Sequence, residues 1–156
     1  MQERTTVEYW DKRAKENDND MALVYEDVVA FENSSKMGNA LMNMFPGTIL
    51  DIGCGYGRFY KPERKYTGVD FSKEMIKKAK KRFPDGDFRV GSWYDDLGTY
   101  DVVIEAICLS SFGGNMDEFK EVLLKFVNPN GILIMLEAKA TYIFAKDNMF
   151  KYESRK

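Results

Sequence analysis

The chain has 156 residues, 44% apolar and 31% charged, the size and balance of one globular domain with room for a proper core. Its 23 basic and 25 acidic residues leave a net charge of −2, which argues against a general attraction to nucleic acid or anionic membrane. Two cysteines and no histidine argue against a disulfide framework and against a zinc site of the cysteine/histidine kind, so no metal is expected.

Cys54 reads as a small turn residue and Cys108 as a small packing residue. A reducing compartment, the cytoplasm, suits this cysteine usage. The first six residues have no apolar signal core, and no apolar run approaches the roughly 18 residues of a membrane span.

In chain order, residues 5 to 17 predict a short amphipathic helix with Val7, Tyr9, Trp10 and Ala14, broken by Asn17-Asp18-Asn19-Asp20. A second helix is predicted over Met21 to Phe31, carrying Leu23, Val24, Val28, Val29 and Phe31. Asn33-Ser34-Ser35 then reads as a turn and N-cap. A third helix runs from Lys36 to Phe45, where Pro46-Gly47 stops it.

Thr48 to Ile52 is β-branched or apolar except at Asp51, as in a parallel strand covered on both faces. It runs into Gly53-Cys54-Gly55-Tyr56-Gly57. Residues 58–65, interrupted by Pro62, leave barely two helical turns before a second strand, Tyr66 to Asp70. Ser72 caps a helix over 73–83 with Met75, Ile76 and Ala79 inward. The basic run Lys73 to Arg82 is its wet face.

Pro84-Asp85-Gly86 is a turn and 87–91 a third strand. Trp93 to Thr99 is a loop, 101–106 a fourth strand and 107–115 an irregular stretch. A helix follows over Met116 to Val127, with Phe119, Val122, Leu123 and Phe126 inward. Asn128-Pro129-Asn130-Gly131 is a turn and 132–137 a fifth strand. Residues 138–156 suit a small hairpin, or a helix and one strand.

This alternation predicts an α/β fold with a mostly parallel sheet, right-handed crossovers and a ligand beyond the carboxyl ends of the strands. Asp51, Asp70, Ser92 and Glu105 fall at such ends. The glycine turn lets a backbone approach a ligand closely. Asp70, 19 residues after Asp51 at the end of the next strand, suits the two hydroxyls of a ribose. Arg58 stands where the dinucleotide pattern needs its third glycine, which disfavours a nicotinamide enzyme. No P-loop lysine follows either.

Leu50-Asp51-Ile52-Gly53-Cys54-Gly55-Tyr56-Gly57 with Thr67-Gly68-Val69-Asp70-Phe71-Ser72 resembles the class I S-adenosylmethionine-dependent methyltransferases. The likeness continues through Phe88 to Ser92, Tyr100 to Ile104 and Asn128 to Leu133, and covers roughly residues 47 to 137. It implies a single Rossmann-like three-layer α/β/α sandwich spanning 1–156. In it, 1–46 form an N-terminal helical cap, 47–137 the cofactor-binding core and 138–156 a shortened C-terminal edge. That edge leaves the sheet reduced, or completed by a second copy or a partner subunit.

The resemblance also implies S-adenosylmethionine as cofactor and S-adenosylhomocysteine as product. Gly53, Cys54, Gly55 and Gly57 would shape the turn beneath its methionine and ribose. Asp51 would face the amino group and Asp70 the ribose hydroxyls, with Phe71 beside the adenine. Ser92 would meet the adenine amino group, Trp93 would pack on its face, and Glu105 would lie near the methionine moiety. Tyr9-Trp10-Asp11 resembles an aromatic stretch that closes over the methionine end in some members; helix-to-sheet packing is the other reading.

A sulfonium already activates its methyl group, so positioning in a water-poor pocket supplies most of the rate. Tyr9, Trp10, Tyr25 and Tyr56 are candidates to face the sulfonium or the acceptor, with Ser110 on the acceptor side. A base is needed only if the acceptor must lose a proton, and Glu105 is the candidate by location. It equally suits a cationic substrate or the cofactor's amino group.

Glu105-Ala106-Ile107-Cys108 lacks the Asn/Asp-Pro-Pro-aromatic motif of enzymes that methylate exocyclic amino groups of DNA bases. No Pro-Cys nucleophile for pyrimidine C5 is present. Two histidines common in small-molecule members are replaced by Ser110 and Ser111. The reading is a methyltransferase acting on a small molecule, or on a larger partner that it docks. The alternative is a non-catalytic S-adenosylmethionine-binding module or regulatory subunit.

Overall fold

The computed structural model of the protein describes residues 6–18, 28–137, 140–146 and 151–155. Among the described residues twelve elements follow in chain order: α1 Val7–Glu16, α2 Val28–Met44, β1 Ile49–Ile52, β2 Tyr66–Asp70, α3 Lys73–Arg82, β3 Asp87–Val90, β4 Tyr100–Ala106, α4 Leu109–Phe112, α5 Met116–Leu124, β5 Val127–Leu136, β6 Ala140–Ala145 and β7 Lys151–Arg155.

The strands form one seven-stranded sheet in the order β3-β2-β1-β4-β5-β6-β7. The first five are parallel, and β6 and β7 are antiparallel additions at one edge. β1 is central because every one of its residues is buried, which only a strand covered on both faces allows. Its side chains alternate between two cores. Ile49 joins Met42, Phe59, Ile76, Phe88 and Ile104 on one face. Leu50 and Ile52 join Phe119, Leu123, Val103 and Leu133 on the other. Thus α2 and α3 cover one face and α4 and α5 the opposite one, the three-layer α/β/α arrangement.

The strand order reverses between β1 and β4. The crevice beyond their carboxyl ends is where such sheets place ligands. α1 joins neither main core: Ala14 and Trp10 pack on Tyr56 and Met75, above α3.

Several local expectations are corrected. Asn33-Ser34-Ser35 lies inside α2, which continues without a turn. The Ser34 hydroxyl donates back to the Phe31 carbonyl, and both serine hydroxyls accept from Arg58. Residues 58–65 form turns and no helix. The Asn128–Gly131 turn lies within β5, where these four residues face Asp101 alone as the register jumps between Tyr100 and Val102. α5 ends at Leu124, not Val127. The irregular stretch 107–115 contains the short α4. The C-terminal alternatives resolve as a β5–β6–β7 meander. The N-terminal part of the helix predicted over 21–31 lies outside the described residues, as does Tyr25.

Candidate functional site

The glycine turn is pinned to the end of β2. The amides of Gly53 and Cys54 both donate to the Val69 carbonyl, at 2.8 and 3.1 Å. Gly53 has φ +70, and a Cβ there would lie 2.3 Å from the Cys108 sulfur, so the position admits no side chain. Gly55 has φ +54, and a Cβ on it would meet nothing within 4 Å. Its bareness opens space above the turn.

Asp70 organises what lies beside that space. One carboxylate oxygen accepts the Gly55 amide at 3.0 Å, and the other accepts the Ser72 amide at 2.9 Å. Burial pushes its carboxyl up to about 6, although both amides favour the ionised form. Asp11 on α1 adds to the rise. The Asp11 carboxylate also accepts the Ser72 hydroxyl at 2.5 Å, fastening α1 to the start of α3.

Two adjoining cavities open here. The larger holds about 460 Å³, within the range of small-molecule sites. Asp70, Phe71, Ser92, Trp93, Ser111 and Phe112 are on its walls. The smaller, about 60 Å³, is enclosed by Gly53, Gly55, Trp10, Ile107, Cys108 and Ser111, with Asp70, Phe71 and Trp93 shared. Phe71 and Trp93 face each other with ring centroids 6.0 Å apart. The Trp93 indole N–H is buried without an acceptor among the described residues.

The structure thus brings together Gly53, Gly55, Asp70, Phe71, Ser92, Trp93 and Trp10 of the expected set. Other expected residues sit elsewhere. Asp51 lines neither cavity; buried in β1, it accepts the Tyr66 hydroxyl at 2.6 Å. Burial pushes its carboxyl up to about 7, while Tyr66 and Arg58 act the other way. Cys54 is buried beneath the turn, and Gly57 lies against the Phe88 ring.

Tyr56 is corrected from a pocket residue to an anchor. Its hydroxyl lies 3.1 Å from the Ala14 carbonyl and 2.5 Å from that of Asn17, holding the end of α1. Tyr9 packs edge-on against Trp10 and lines neither cavity. Ser110 is exposed, and its neighbour Ser111 faces both cavities.

Glu105 is corrected from a base or a methionine contact to a wholly buried group behind the wall, accepting the Cys108 amide at 3.0 Å. The thiols of Cys54 and Cys108 are both raised, chiefly by burial, and stay neutral.

Ile107, Ser111 and Phe112, also on the walls, belong to the irregular stretch 107–115, and Ser111 stands at one of the two replaced histidines; Val7 and Gly91 are wall residues that the sequence did not mark as such. Ile107 adopts φ 61, a left-handed conformation that β-branched residues disfavour. No sequence signal marks that strain. Among the described residues no group of three metal-ligating side chains occurs, and no helix is long and apolar enough to cross a membrane.

Comparison with known proteins follows the same residues. A family model described as a methyltransferase domain matches residues 50–133. The chain is 31% identical over 97 residues to a trans-aconitate 2-methyltransferase of Rhodopseudomonas palustris, covering 56% of this chain and 37% of that protein. It is also 31% identical over 106 residues to a demethylmenaquinone methyltransferase of Thermotoga maritima, covering 62% and 46%. The matches therefore span less than half the length of these relatives. In fold it is similar to the magnesium protoporphyrin IX methyltransferase of Synechocystis solved with bound S-adenosylmethionine, with a TM-score of 0.58 and 20% identity over 69% of this chain and 58% of that one.

Proposed function

We propose, because the chain belongs to the methyltransferase domain family, that it binds S-adenosylmethionine over the glycine turn and transfers the methyl group to a small-molecule acceptor. The observation that carries this reading is Asp70, a carboxylate on the walls of both cavities, aimed by two backbone amides. Ribose hydroxyls are donors that suit such an acceptor. The open space over Gly55 and the cavity volume fit an adenosyl group.

In this reading Phe71 lies beside the adenine and Trp93 packs on its face, with Ser92 toward its amino group. Trp10, Ile107 and Cys108 enclose the reacting end, where the Trp10 ring attracts a cation. S-adenosylmethionine supplies a methyl group already activated on sulfur. The residues of this chain bind it, orient it and exclude water. Glu105 lies behind the wall and takes no proton from the acceptor.

Residues 1–46, 47–137 and 138–156 act as cap, cofactor core and edge. The substrate names of the two relatives favour a small molecule. Two free cysteines suit the reducing cytoplasm. β7 ends the sheet, so a second copy would pair there, and sedimentation giving only monomer at high concentration would overturn that pairing.

Thermal-shift titration with S-adenosylmethionine, S-adenosylhomocysteine and NADH tests the reading. Stabilisation by the two adenosyl compounds alone is expected, about 2.7 kcal/mol at a hundred times the dissociation constant. No shift with either overturns it. Binding without transfer to any acceptor would leave a non-catalytic binding module.

A further inference from the structure

At the carboxyl ends of β4 and β5, two acidic side chains meet beneath the wall that carries Ser111 and Phe112. Glu105 Oε2 accepts the Cys108 amide at 3.0 Å, and Glu137 Oε1 accepts the Leu109 amide at 3.2 Å. Consecutive amides, directly after the left-handed Ile107, therefore end on two different carboxyl groups.

Glu105 is 0% exposed, and its second oxygen, Oε1, has no N–H or O–H donor among the described residues. The Glu137 carboxyl, held by the very next amide, is the neighbouring group whose charge bears most on it. Two carboxylates offer each other only lone pairs, so a hydrogen bond between them requires a proton. Asp51 of β1 bears on Glu105, and both Asp51 and Asp70 bear on Cys108. All of these are acids, and their field adds to the cost of a second negative charge.

We propose that Glu105 and Glu137 are positioning residues that share one proton and so hold the wall segment 107–113 in its site-forming conformation. Burial raises both carboxyls above the usual range, in keeping with a proton retained near neutral pH. Once it leaves, the carboxylates repel in a water-poor setting, and the Cys108 and Leu109 amides lose their fixed acceptors. The segment after Ile107 then loses two of its anchors, while the Ile107 amide keeps its bond to the Leu136 carbonyl. The cavity walls contributed by Ile107, Cys108, Ser111 and Phe112 move with the segment.

The ligand arm of the test rests on the proposed cofactor, and the other arm does not. The first arm is amide hydrogen exchange at Cys108 and Leu109 in the ligand-free protein against pH, corrected for intrinsic exchange. The second is calorimetric titration with S-adenosylhomocysteine at the same pH values. Protection at the two amides is expected to fall by up to about tenfold per pH unit between the ordinary carboxyl value near 4 and the raised titration of the pair, and to level off above it. Affinity is expected to fall with it.

Glu105→Gln keeps an oxygen for the Cys108 amide and donates a permanent hydrogen to Glu137, so its protection should vary by less than about twofold across that range. Glu137→Gln does the same from the other side. Protection that is flat in the parent protein, or that falls in either folded glutamine variant as it does in the parent, overturns the proposal. Failure of S-adenosylhomocysteine to bind at any pH overturns the cofactor reading, and exchange in the parent still decides the role of the pair.

Discussion

The carboxylate of Asp70 holds the amide of Gly55 at 3.0 Å, joining the end of β2 to the crest of the glycine turn. This bond ties the two motifs of the sequence into one object. It adds to the Gly53 and Cys54 amides on the Val69 carbonyl and to the Ser72 amide on Asp70, so the turn and the acidic residue share one network.

Replacing Asp70 by Asn keeps the shape, removes the charge and points an N–H₂ group at one of two donors. A charge-assisted hydrogen bond is worth about 1.5–3 kcal/mol, so S-adenosylhomocysteine should bind roughly ten- to a hundredfold more weakly. Calorimetry on a variant with unchanged circular dichroism checks this. Affinity within about twofold of the parent would remove Asp70 from the site.

Two buried carboxyls set a pH dependence of stability. Asp51 is pushed up to about 7 and Asp70 to about 6, both above the ordinary value near 4. Between that value and their own, the folded state holds protons that the unfolded chain has released. Their contribution is therefore full below about pH 4 and lost as pH rises to about 7. Urea unfolding of the ligand-free protein should show stability declining across that window. Binding should run the other way. In the Glu105→Gln variant, where the acid pair no longer titrates, ribose hydroxyls that favour the ionised Asp70 should make affinity for S-adenosylhomocysteine rise as pH passes about 6.

Gly53→Ala places a methyl group 2.3 Å from the Cys108 sulfur at φ +70. Left-handed backbone costs about 1–2 kcal/mol and overpacking about 1–3 kcal/mol, so a loss of about 2–5 kcal/mol is expected. Adding Cys108→Ala should restore the packing part and leave the backbone part. Chemical denaturation of single and double variants separates the two. Full recovery in the double variant would mean that the backbone at Gly53 is unstrained.

Tyr66→Phe removes the hydroxyl that donates to buried Asp51. An unsatisfied buried acceptor costs about 1–3 kcal/mol, and the carboxyl should titrate higher still. The loss should be larger at pH 8 than at pH 5, where the protonated acid needs no donor. Equal losses at both values would show that Tyr66 acts through packing alone.

The parallel core was legible because β1 is apolar except at Asp51 and both β1 and β2 are short runs bounded by turn residues. The turn-and-carboxylate side of the cavities was legible because a glycine turn and an acidic strand end fall at fixed offsets. α2 was not legible at Asn33-Ser34-Ser35: those residues favour turns locally, and Arg58, 23 residues beyond Ser35, supplies donors that keep them helical. Glu105 falls near the strand end as expected, yet lies wholly buried and on neither cavity wall. Its partner Glu137 lies 32 residues on, and only the β4–β5 register, which sets Glu105 opposite Met135, brings them together. Tyr56 was misread because its anchor, the end of α1, lies 39 residues away at Asn17.

The position of β1 between β2 and β4 bears on how the chain is made. During synthesis the glycine turn emerges long before Tyr100–Ala106, the strand that closes its other flank. Until then one edge of β1 has unpaired backbone groups, and Cys108, Ser111 and Phe112 have yet to arrive. The nascent chain must hold its ligand-binding motif unformed for about 50 residues, a non-local closure that slows folding and favours all-or-none assembly.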